Sequence, residues 1–204
     1  MKKVIFGTCC LLLVALIASG LWATKAVNLT EQDQVIDASS ASLAADLSIR
    51  DMALQSELIV AGRCVETHSA WIENNRVLVT LATVQVDETL KGGAASTITV
   101  VLPGGIDSNR RIPVAMTYAG APTIAPEENV FLFLTGEESI AGGYAVMGFA
   151  QGKFSVVEDE DGQKLVSRDL TKVRLQRQSG LARGTRQRAT LSEFRQKVRE
   201  YLGL

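Results

Sequence analysis

The chain of 204 residues carries 21 Lys or Arg, 22 Asp or Glu, one histidine and three cysteines. A single histidine excludes a zinc site with two or three histidine ligands. Cys9 and Cys10 lie within the first 26 residues, so removal of that segment would leave Cys64 alone and exclude an intramolecular disulfide. An ordinary hydrophobic core must then stabilise the fold, and about 178 residues suffice for one.

The first 26 residues have the layout of a secretory signal. Two lysines precede an uncharged run, residues 4–22, and small residues follow it. Thr24 and Ala26 supply the small side chains that favour cleavage after Ala26, which would release residues 27–204 to the periplasm or the medium. An uncleaved inner-membrane anchor is the alternative, because the 19 residues of the run would span about 28 Å as a helix, close to the roughly 30 Å of a bilayer core.

Charge is distributed unevenly along the rest of the chain. Residues 27–163 hold 7 basic and 19 acidic residues, a balance of −12, whereas residues 164–204 hold 11 basic and 3 acidic ones, a balance of +8. The sequence therefore predicts an acidic body that carries a basic C-terminal tail.

The N-terminal part of the exported chain predicts a lead and a short helix. Residues 27–44 are polar, rich in Ser and Ala and without periodicity, which predicts a flexible lead. Ser48 followed by Asp51 fits a helix-capping pattern, and Ile49, Met52 and Ala53 then share one helix face. Residues 45–169 as a whole are predicted to form one β-barrel domain.

Strands are predicted where branched residues are bounded by turn residues. They cover residues 57–66, 76–90, 97–105, 111–118 and 130–134. Pro113 confines the fourth strand to a sheet edge or a bulge, and the unbroken apolar run of the fifth indicates burial on both faces. Asp161-Gly162, between FSVV and KLVS, predicts a β-hairpin.

The segment MGFAQGKFSVV, residues 147–157, has two glycines in otherwise good strand sequence. Isolated strand glycines usually mark a bulge or a close backbone approach, so we expect a sharp bend that carries the chain from one side of a barrel to the next. Backbone amides beside such glycines can bind anions, but no Gly-Lys-Ser/Thr and no helix start follows them. We interpret the motif residues as structural: Gly104, Gly105, Gly148, Gln151, Gly152 and Lys153.

The basic tail contains the candidate interaction residues. Residues 170–189 are rich in Arg, Gln and Gly and have little to bury, which predicts a basic flexible linker. An anionic membrane surface or an envelope or extracellular protein is the expected partner. Nucleic acid is not expected, because no aromatic residue between Phe154 and Phe194 is present to stack on bases. The candidates are Arg174, Arg177, Arg183, Arg186 and Arg188.

The C-terminal residues 190–204 predict an amphipathic helix, which completes the expected fold. One helical stripe holds Leu191, Phe194, Val198, Tyr201 and Leu202. About six or seven short strands with a helix near each end indicate a mainly β fold, a barrel, with an open sandwich as the alternative.

An ordered set of motifs between about residues 57 and 157 carries a resemblance. The segments are SELIVAGRCV, VQVDETLKG, ITVVLPGG, GAPTIAPEENVFLFL and YAVMGFAQGKFSV. In this order they resemble a group of uncharacterised exported bacterial proteins, whose fold is similar to the OB-type barrel of netrin-like modules and tissue inhibitors of metalloproteases. Those inhibitors reach a protease zinc through an N-terminal cysteine, and residues 27–34 contain none, so inhibition is not carried over.

Few residues suit catalysis. Cys64 and His68 are a candidate nucleophile and base, but four residues along one strand separate them by roughly 13 Å, so the pair requires His68 in a loop that folds back. Otherwise we interpret Cys64 as a buried strand thiol and His68 as a solvated turn residue. Paired carboxylates occur at Glu127-Glu128, Glu137-Glu138 and residues 158–161, all in predicted turns where acids face solvent.

The acidic run 158–161 also raises the question of calcium. With Gly162 at the sixth position of an EF-hand loop, Val157 and Arg168 fall where obligatory ligands belong, so only a weak surface Ca²⁺ site stays open. No cofactor and no catalytic or metal-binding residue is assigned. We therefore expect an exported, non-catalytic binding module of the cell envelope or extracellular space. A hydrolase that uses surface carboxylates or Cys64 is the alternative.

Overall fold

The structure, a computed structural model, describes residues 42–136 and 142–204. These residues are mainly β with two short helices, which confirms the predicted fold class. The predicted signal, most of the predicted lead and the pair Glu137-Glu138 lie outside the described residues.

The helices are α1, Ile49–Gln55, and α2, Leu191–Leu202. The strands are β1 Ser42–Ala45, β2 Leu58–Ile72, β3 Val77–Lys91, β4 Thr97–Pro103, β5 Gly105–Asp107, β6 Val114–Met116, β7 Asn129–Thr135, β8 Tyr144–Val146, β9 Lys153–Glu158, β10 Lys164–Asp169, β11 Val173–Arg177, β12 Gly180–Arg183 and β13 Arg186–Thr190.

The two longest strands, β2 and β3, form an antiparallel hairpin. Its turn is made by Glu73, Asn74 and Asn75, whose φ angles of 49°, 56° and 65° lie in the left-handed region that Asn tolerates better than most residues. Three register shifts between Ile59 and Glu66 mark irregularities in the pairing. Because β-bulges bend and twist a strand, they let the hairpin curve around a core.

Five strands are hydrogen-bonded in a closed circuit, β7–β2–β3–β4–β8–β7, and are termed the ring strands. β8 completes the circuit because it pairs in parallel with β4 and antiparallel with the end of β7. All five contribute to one apolar cluster, the ring core, which consists of Leu58, Val60, Cys64, Ala82, Val84, Ile98, Val100, Leu102, Ile124, Val130, Leu132, Leu134 and Val146.

β7 is buried on both faces, in agreement with its unbroken apolar sequence. Val130, Leu132 and Leu134 belong to the ring core, whereas Phe131 and Phe133 belong to a second cluster. The two-residue period of a strand places these sets on opposite faces. β7 therefore separates two cores.

The two helices cover the outer face of β7. Phe194 of α2 packs with ring centroids 5.1 Å from Phe131 and 4.7 Å from Phe154. Met52 and Ala53 of α1 are buried in the same cluster, termed the helical core. The terminal helix is therefore part of the fold rather than an appendage to it.

Local side chains define the helix ends. The Ser48 hydroxyl accepts a hydrogen bond from the Asp51 amide, and the Asp51 carboxylate accepts one from the Ser48 amide, which completes a capping box. At α2, Thr190 is the N-cap, and Gly203 ends the helix with a left-handed φ of 74°. α2 begins one residue after the start and ends two residues before the end of the predicted range, 190–204.

The segment 147–152 forms a sharp bend between strands. β8 pairs with the end of β7, and β9 pairs with the beginning of the same strand. Gly148 has a φ of 61°, and a Cβ on Gly152 would lie 2.6 Å from the carbonyl oxygen of Phe133. A side chain at either position would therefore strain the backbone or clash.

The Pro-Gly-Gly segment ends a strand earlier than the sequence predicts. β4 stops at Pro103, because Gly104 adopts a φ of 88° and the chain then enters the separate β5–β6 hairpin, which begins at Gly105. β6 begins directly after Pro113, which has no backbone N–H to donate to a ladder. The predicted strands 97–105 and 111–118 are both longer than those observed.

β9, β10 and β13 extend the sheet beyond β7. The β9–β10 hairpin turns at Asp161-Gly162, as the sequence predicts, with the Asp159 amide donating to the carbonyl of Gln163. β13 pairs only with β10 and forms the edge of the eight-stranded sheet. This extension lies almost wholly C-terminal to the ring strands in sequence.

A second sheet of three strands, β1–β11–β12, is termed the small sheet. It uses the last residues of the predicted lead 27–44 and residues 173–183 of the predicted linker 170–189, while residues 186–189 of that linker belong to β13. The expectation of a linker without regular structure is wrong for these residues. Val173 and Leu175 of β11 are buried against Ala150 and Leu170, which lie outside the small sheet. The composition of residues 170–189 gives no sign of this contact with Ala150.

Residues Ser40–Leu204 form one compact unit. In the described ranges, no helix combines the length and apolar content needed to cross a bilayer.

Candidate anion-binding cleft

A cleft of about 320 Å³ lies between residues 120–123 and strands β9 and β10. From β9 and β10 it is lined by Ser155 and Ser167, which are paired across the two strands. The exposed cations Lys172 and Arg186 also line it. We term this feature the basic cleft.

Two of the glycine-containing sequence motifs, Gly-Ala-Pro and Ala-Gln-Gly-Lys, meet at the basic cleft. Gly120, Ala121 and Pro122 form the Gly-Ala-Pro motif, and Ala150 and Lys153 belong to the Ala-Gln-Gly-Lys motif. The whole of β7 and β8 separates these motifs in sequence, and the fold brings them to one cavity. This meeting makes the basic cleft the candidate site.

Lys153 is held in the cleft by an ionic network. Its Nζ lies 2.5 Å from Glu128 Oε1 and donates to Ser155 Oγ at 2.8 Å, and Ser155 donates to the same carboxylate at 2.6 Å. Burial of the Glu128 carboxyl favours a higher pKa, but hydrogen bonds from Lys153, Ser155 and the Ala125 amide outweigh it and hold the pKa below its usual value. The Lys153 ammonium is thereby fixed in place.

Asp169 anchors the opposite side of the cleft. Its Oδ1 accepts hydrogen bonds from the Thr171 hydroxyl at 2.6 Å and the Thr171 amide at 2.9 Å, and its Oδ2 lies 2.6 Å from Arg186 Nη2. The Thr171 hydroxyl and amide, followed by Arg186, hold the pKa of Asp169 well below its ordinary value. The carboxylate therefore stays ionised and orients Arg186.

Arg168 is the buried cation of the basic cleft, with 7% of its surface exposed. Its Nη1 donates to the Gln151 carbonyl at 2.5 Å, its Nε donates to Gln187 Oε1 at 2.9 Å, and its guanidinium lies 4.8 Å from the centre of the Phe154 ring. Burial lowers the pKa of Arg168 to about 10. The guanidinium still carries its charge at neutral pH.

Cations outnumber carboxylates in this lining. Four basic side chains, Lys153, Arg168, Lys172 and Arg186, and one carboxylate, Asp169, line the cavity, while Glu128 pairs with Lys153 from outside the lining. Within the described part of the chain, Lys172 and Arg168 form no ion pair. Guanidinium and ammonium groups beside serine and threonine hydroxyls are the donors that bind carboxylate or phosphate groups. The arrangement can therefore hold a small anion.

The five candidate arginines do not form one cluster. Arg177 is paired with Asp46 at 2.5 Å, and Arg186 is paired with Asp169 in the basic cleft. Arg174 and Arg183 lie directly opposite each other on β11 and β12. The fifth, Arg188, lies on the edge strand β13 and is paired in register with Ser167.

Gln151 holds the small sheet against the bend and is fully buried. Its Oε1 accepts from the Leu47 amide at 2.9 Å, and its Nε2 donates to the carbonyls of Ala45 at 2.6 Å and Gly148 at 3.1 Å. These contacts join segments more than one hundred residues apart, with sequence separations of 104 and 106. Gln151 positions the cleft wall and does not line the cavity.

Cys64 and His68 do not form a catalytic pair. Both lie on the continuous strand β2, so His68 is not in a turn, contrary to the prediction. Cys64 is fully buried in the ring core, and its burial raises the pKa of the thiol. His68 instead lines a groove of about 530 Å³ with Gly104, Gly105 and Tyr118.

The predicted solvent-facing acids have mixed surroundings. Glu127 is exposed, as predicted, and forms an ion pair with Arg63, whereas the side chain of Glu128 is only 20% exposed beside Lys153, contrary to the prediction. Asp159 Oδ1 accepts from the amides of Asp161 and Gln163 in the hairpin turn. Among the described residues, no group of three or more His, Cys, Asp or Glu side chains is arranged to hold a metal.

Sequence reasoning missed Arg168, Lys172, Ser155 and Ser167 as cleft residues. Ser155 follows the buried Phe154 on β9 and Ser167 follows the buried Val166 on β10, so the two-residue period of a strand places each serine on the face opposite that neighbour. The sequence contains no signal that places residues 120–123 over that face.

Comparisons with known proteins give no match to this chain among protein-family models, curated proteins or solved structures.

Proposed function

We propose that the protein is an exported, non-catalytic binding module of the cell envelope or extracellular space that holds an anionic ligand in the basic cleft. The observation that carries this proposal is the cleft itself, which four cations and one carboxylate line where two motifs meet. The signal-like residues 1–26 support export.

The geometry favours a small ligand with a phosphate or carboxylate group. Lys153 and Arg186 are fixed by Glu128 and Asp169, so little side-chain entropy is lost when they receive an anion. Lys172 has its charge uncompensated by any ion pair in the described residues, and it supplies the largest new interaction. A volume of about 320 Å³ is at the small end for ligand pockets and suits a sugar phosphate or a dicarboxylate.

Calorimetric titration at low ionic strength tests the binding. Glucose 6-phosphate and inorganic phosphate are the probes, and glucose is the uncharged control. We expect the two anions to bind and glucose not to bind. Lys172→Gln should raise the dissociation constant about fivefold to tenfold, because one charge-assisted contact is lost.

Lys164→Gln is the matched control. It also removes one charge from an exposed lysine, on β10, but outside the basic cleft. An equal weakening by both variants, or no heat with any anion, would contradict the proposed site.

Export is tested separately by N-terminal sequencing of protein recovered from the periplasm and the medium. A mature chain that begins at Val27 is the expected result. Retention of residues 1–26 in a membrane fraction would replace secretion with anchoring.

A further inference from the structure

The outer face of the small sheet combines arginines and leucines. β1, β11 and β12 are in register so that Leu43, Arg174 and Arg183 form one row across the sheet. Ala45, Gln176 and Leu181 form the next row on the same face. We term these six residues the arginine face.

The two arginines of this face lie opposite each other without a carboxylate between them. Like charges at directly paired positions of antiparallel strands destabilise a sheet. In residues 42–136 and 142–204, neither Arg174 nor Arg183 forms an ion pair, although Arg177 and Arg186 nearby do. An anion from outside the chain is therefore the group that would compensate them.

Exposed leucines flank the arginines. Leu43 is 64% exposed and Leu181 is 60% exposed, at opposite corners of the face. The buried side of the same sheet, with Val173 and Leu175, already packs on the body of the protein. The leucines thus add apolar surface to a cationic patch without contributing to the core.

The uneven distribution of charge along the chain orients the arginine face toward a negatively charged surface. Residues 170–190 contain six basic residues and no acidic one, whereas residues 27–163 have a balance of −12. A negatively charged surface would attract the arginine face and repel most of the body. This asymmetry favours a broad anionic surface over a small soluble anion.

We propose that the arginine face docks on anionic phospholipid membrane, with Arg174 and Arg183 on the phosphate groups and Leu43 and Leu181 inserted into the interface. Guanidinium groups bind phosphate oxygens in pairs, and leucines gain free energy when they leave water at the acyl boundary. An exposed sheet face of this charge suits a membrane surface. The docking is independent of the anion held in the basic cleft.

Vesicle co-sedimentation tests this docking. Residues 40–204, the compact unit, are used so that the apolar run 4–22 cannot contribute. Phosphatidylcholine vesicles with and without phosphatidylglycerol are the probes. We expect binding only with phosphatidylglycerol, and weaker binding as salt rises.

Two double variants and one matched control locate the contact. Arg174→Gln with Arg183→Gln should weaken partition about fivefold for each arginine, or about 25-fold together. Leu43→Ser with Leu181→Ser should weaken it about tenfold or more at unchanged charge. Arg50→Gln with Arg76→Gln removes the same charge from exposed sites on α1 and the β2–β3 turn and should change partition less than about twofold.

Each contrary outcome overturns the proposal. If the Arg174/Arg183 and the Arg50/Arg76 double variants lose the same amount of vesicle binding, the attraction is unspecific. If the leucine double variant binds vesicles as well as the unsubstituted protein, neither leucine inserts into the membrane. Binding of soluble polyglutamate without any binding of vesicles would assign the face to an acidic protein instead. Circular dichroism of each variant confirms that the sheet content is retained.

Discussion

The ring strands and the small sheet bury side chains in opposite ways. The ring core contains thirteen buried residues, all apolar, of which twelve lie on the five strands that pair in a closed circuit and Ile124 precedes β7. The small sheet buries only one face, with Val173 and Leu175, and presents the arginine face on the other. The ring core excludes water, whereas the arginine face is suited to contact a negatively charged surface.

The ring core therefore contributes mainly to stability, whereas the outer face of the small sheet contributes mainly to recognition. Removing apolar contacts from a core costs several kcal/mol, whereas exposed charges contribute little to folding. The helical core and Gln151 connect the two regions, since α1 follows β1 closely and Gln151 hydrogen-bonds Ala45 of β1 and the adjacent Leu47. Substitutions in the core, at the connection and in the small sheet should therefore have graded effects.

Phe194→Ala should have the largest effect. Phe194 is 5% exposed and packs against Phe131, Phe133 and Phe154, so its truncation should lower the free energy of unfolding by about 3–5 kcal/mol. Urea denaturation followed by circular dichroism measures it. Val157→Ala, at an apolar residue that is 46% exposed, should cost less than about 0.5 kcal/mol. Similar losses in the two variants would mean that α2 is not part of the core.

Gln151→Ala should have the next largest effect and lower the free energy of unfolding by about 2 kcal/mol. The substitution leaves the Leu47 amide and the Ala45 carbonyl without their partners. Hydrogen exchange should show β1 losing protection before the ring strands. Gln176→Ala, at an exposed glutamine of the small sheet, is the control and should leave exchange unchanged. Uniform loss of protection throughout the chain would contradict a local role for Gln151.

Cys64 should make stability fall at alkaline pH. Burial raises the pKa of the folded thiol, whereas the unfolded thiol ionises near its ordinary value of about 8.5. Between these pKa values the unfolded state releases a proton that the folded state keeps, so the free energy of unfolding decreases as pH rises. Urea titrations at about pH 7 and about pH 10 should show this decrease.

Cys64→Val is the control for that titration, because it removes the titrating group and keeps an apolar side chain. The part of the pH dependence that belongs to the thiol should disappear in this variant. Rapid alkylation of Cys64 by iodoacetamide in the folded protein at neutral pH would contradict its burial.

Arg183→Thr should have the smallest effect on the free energy of unfolding, and it should raise this free energy rather than lower it. Removing one of two opposed arginines and adding a β-branched residue should stabilise the protein by roughly 0.2–1 kcal/mol. Arg188→Thr removes the same charge at a position paired with Ser167 and is the control, with a change near zero. A destabilised Arg183 variant would mean that the arginine supports the fold and is not held for a ligand.

Features that depend on near neighbours were predictable from the sequence. The Ser48–Asp51 cap, the Asp161-Gly162 hairpin and the two-faced burial of β7 each follow from residues within a few positions of one another. The same holds for α2, whose apolar stripe repeats with the helical period. In these segments local preference and tertiary environment agree.

The basic cleft could be predicted only in part. Lys153 and Gly120 stand out as motif residues, and the alternation of β9 and β10 places Ser155 and Ser167 on one face. The pairing of Lys153 with Glu128, however, depends on a separation of 25 residues that no local rule specifies. A carboxylate in a predicted turn consequently becomes a half-buried ion-pair partner.

The sequence by itself determined the mainly β class, the helix ends, the hairpin turn and the segregation of acidic and basic residues, because these depend on local conformational preference and on composition. Only the tertiary structure decided that residues 173–190 form strands, that β8 closes the ring and that two motifs line one cleft. The physical reason is that a strand gains most of its stability from partners elsewhere in the chain. The short, arginine-rich β11 and β12 are ordered by Ala150, Leu170 and β1, none of which can be identified as neighbours from the tail alone.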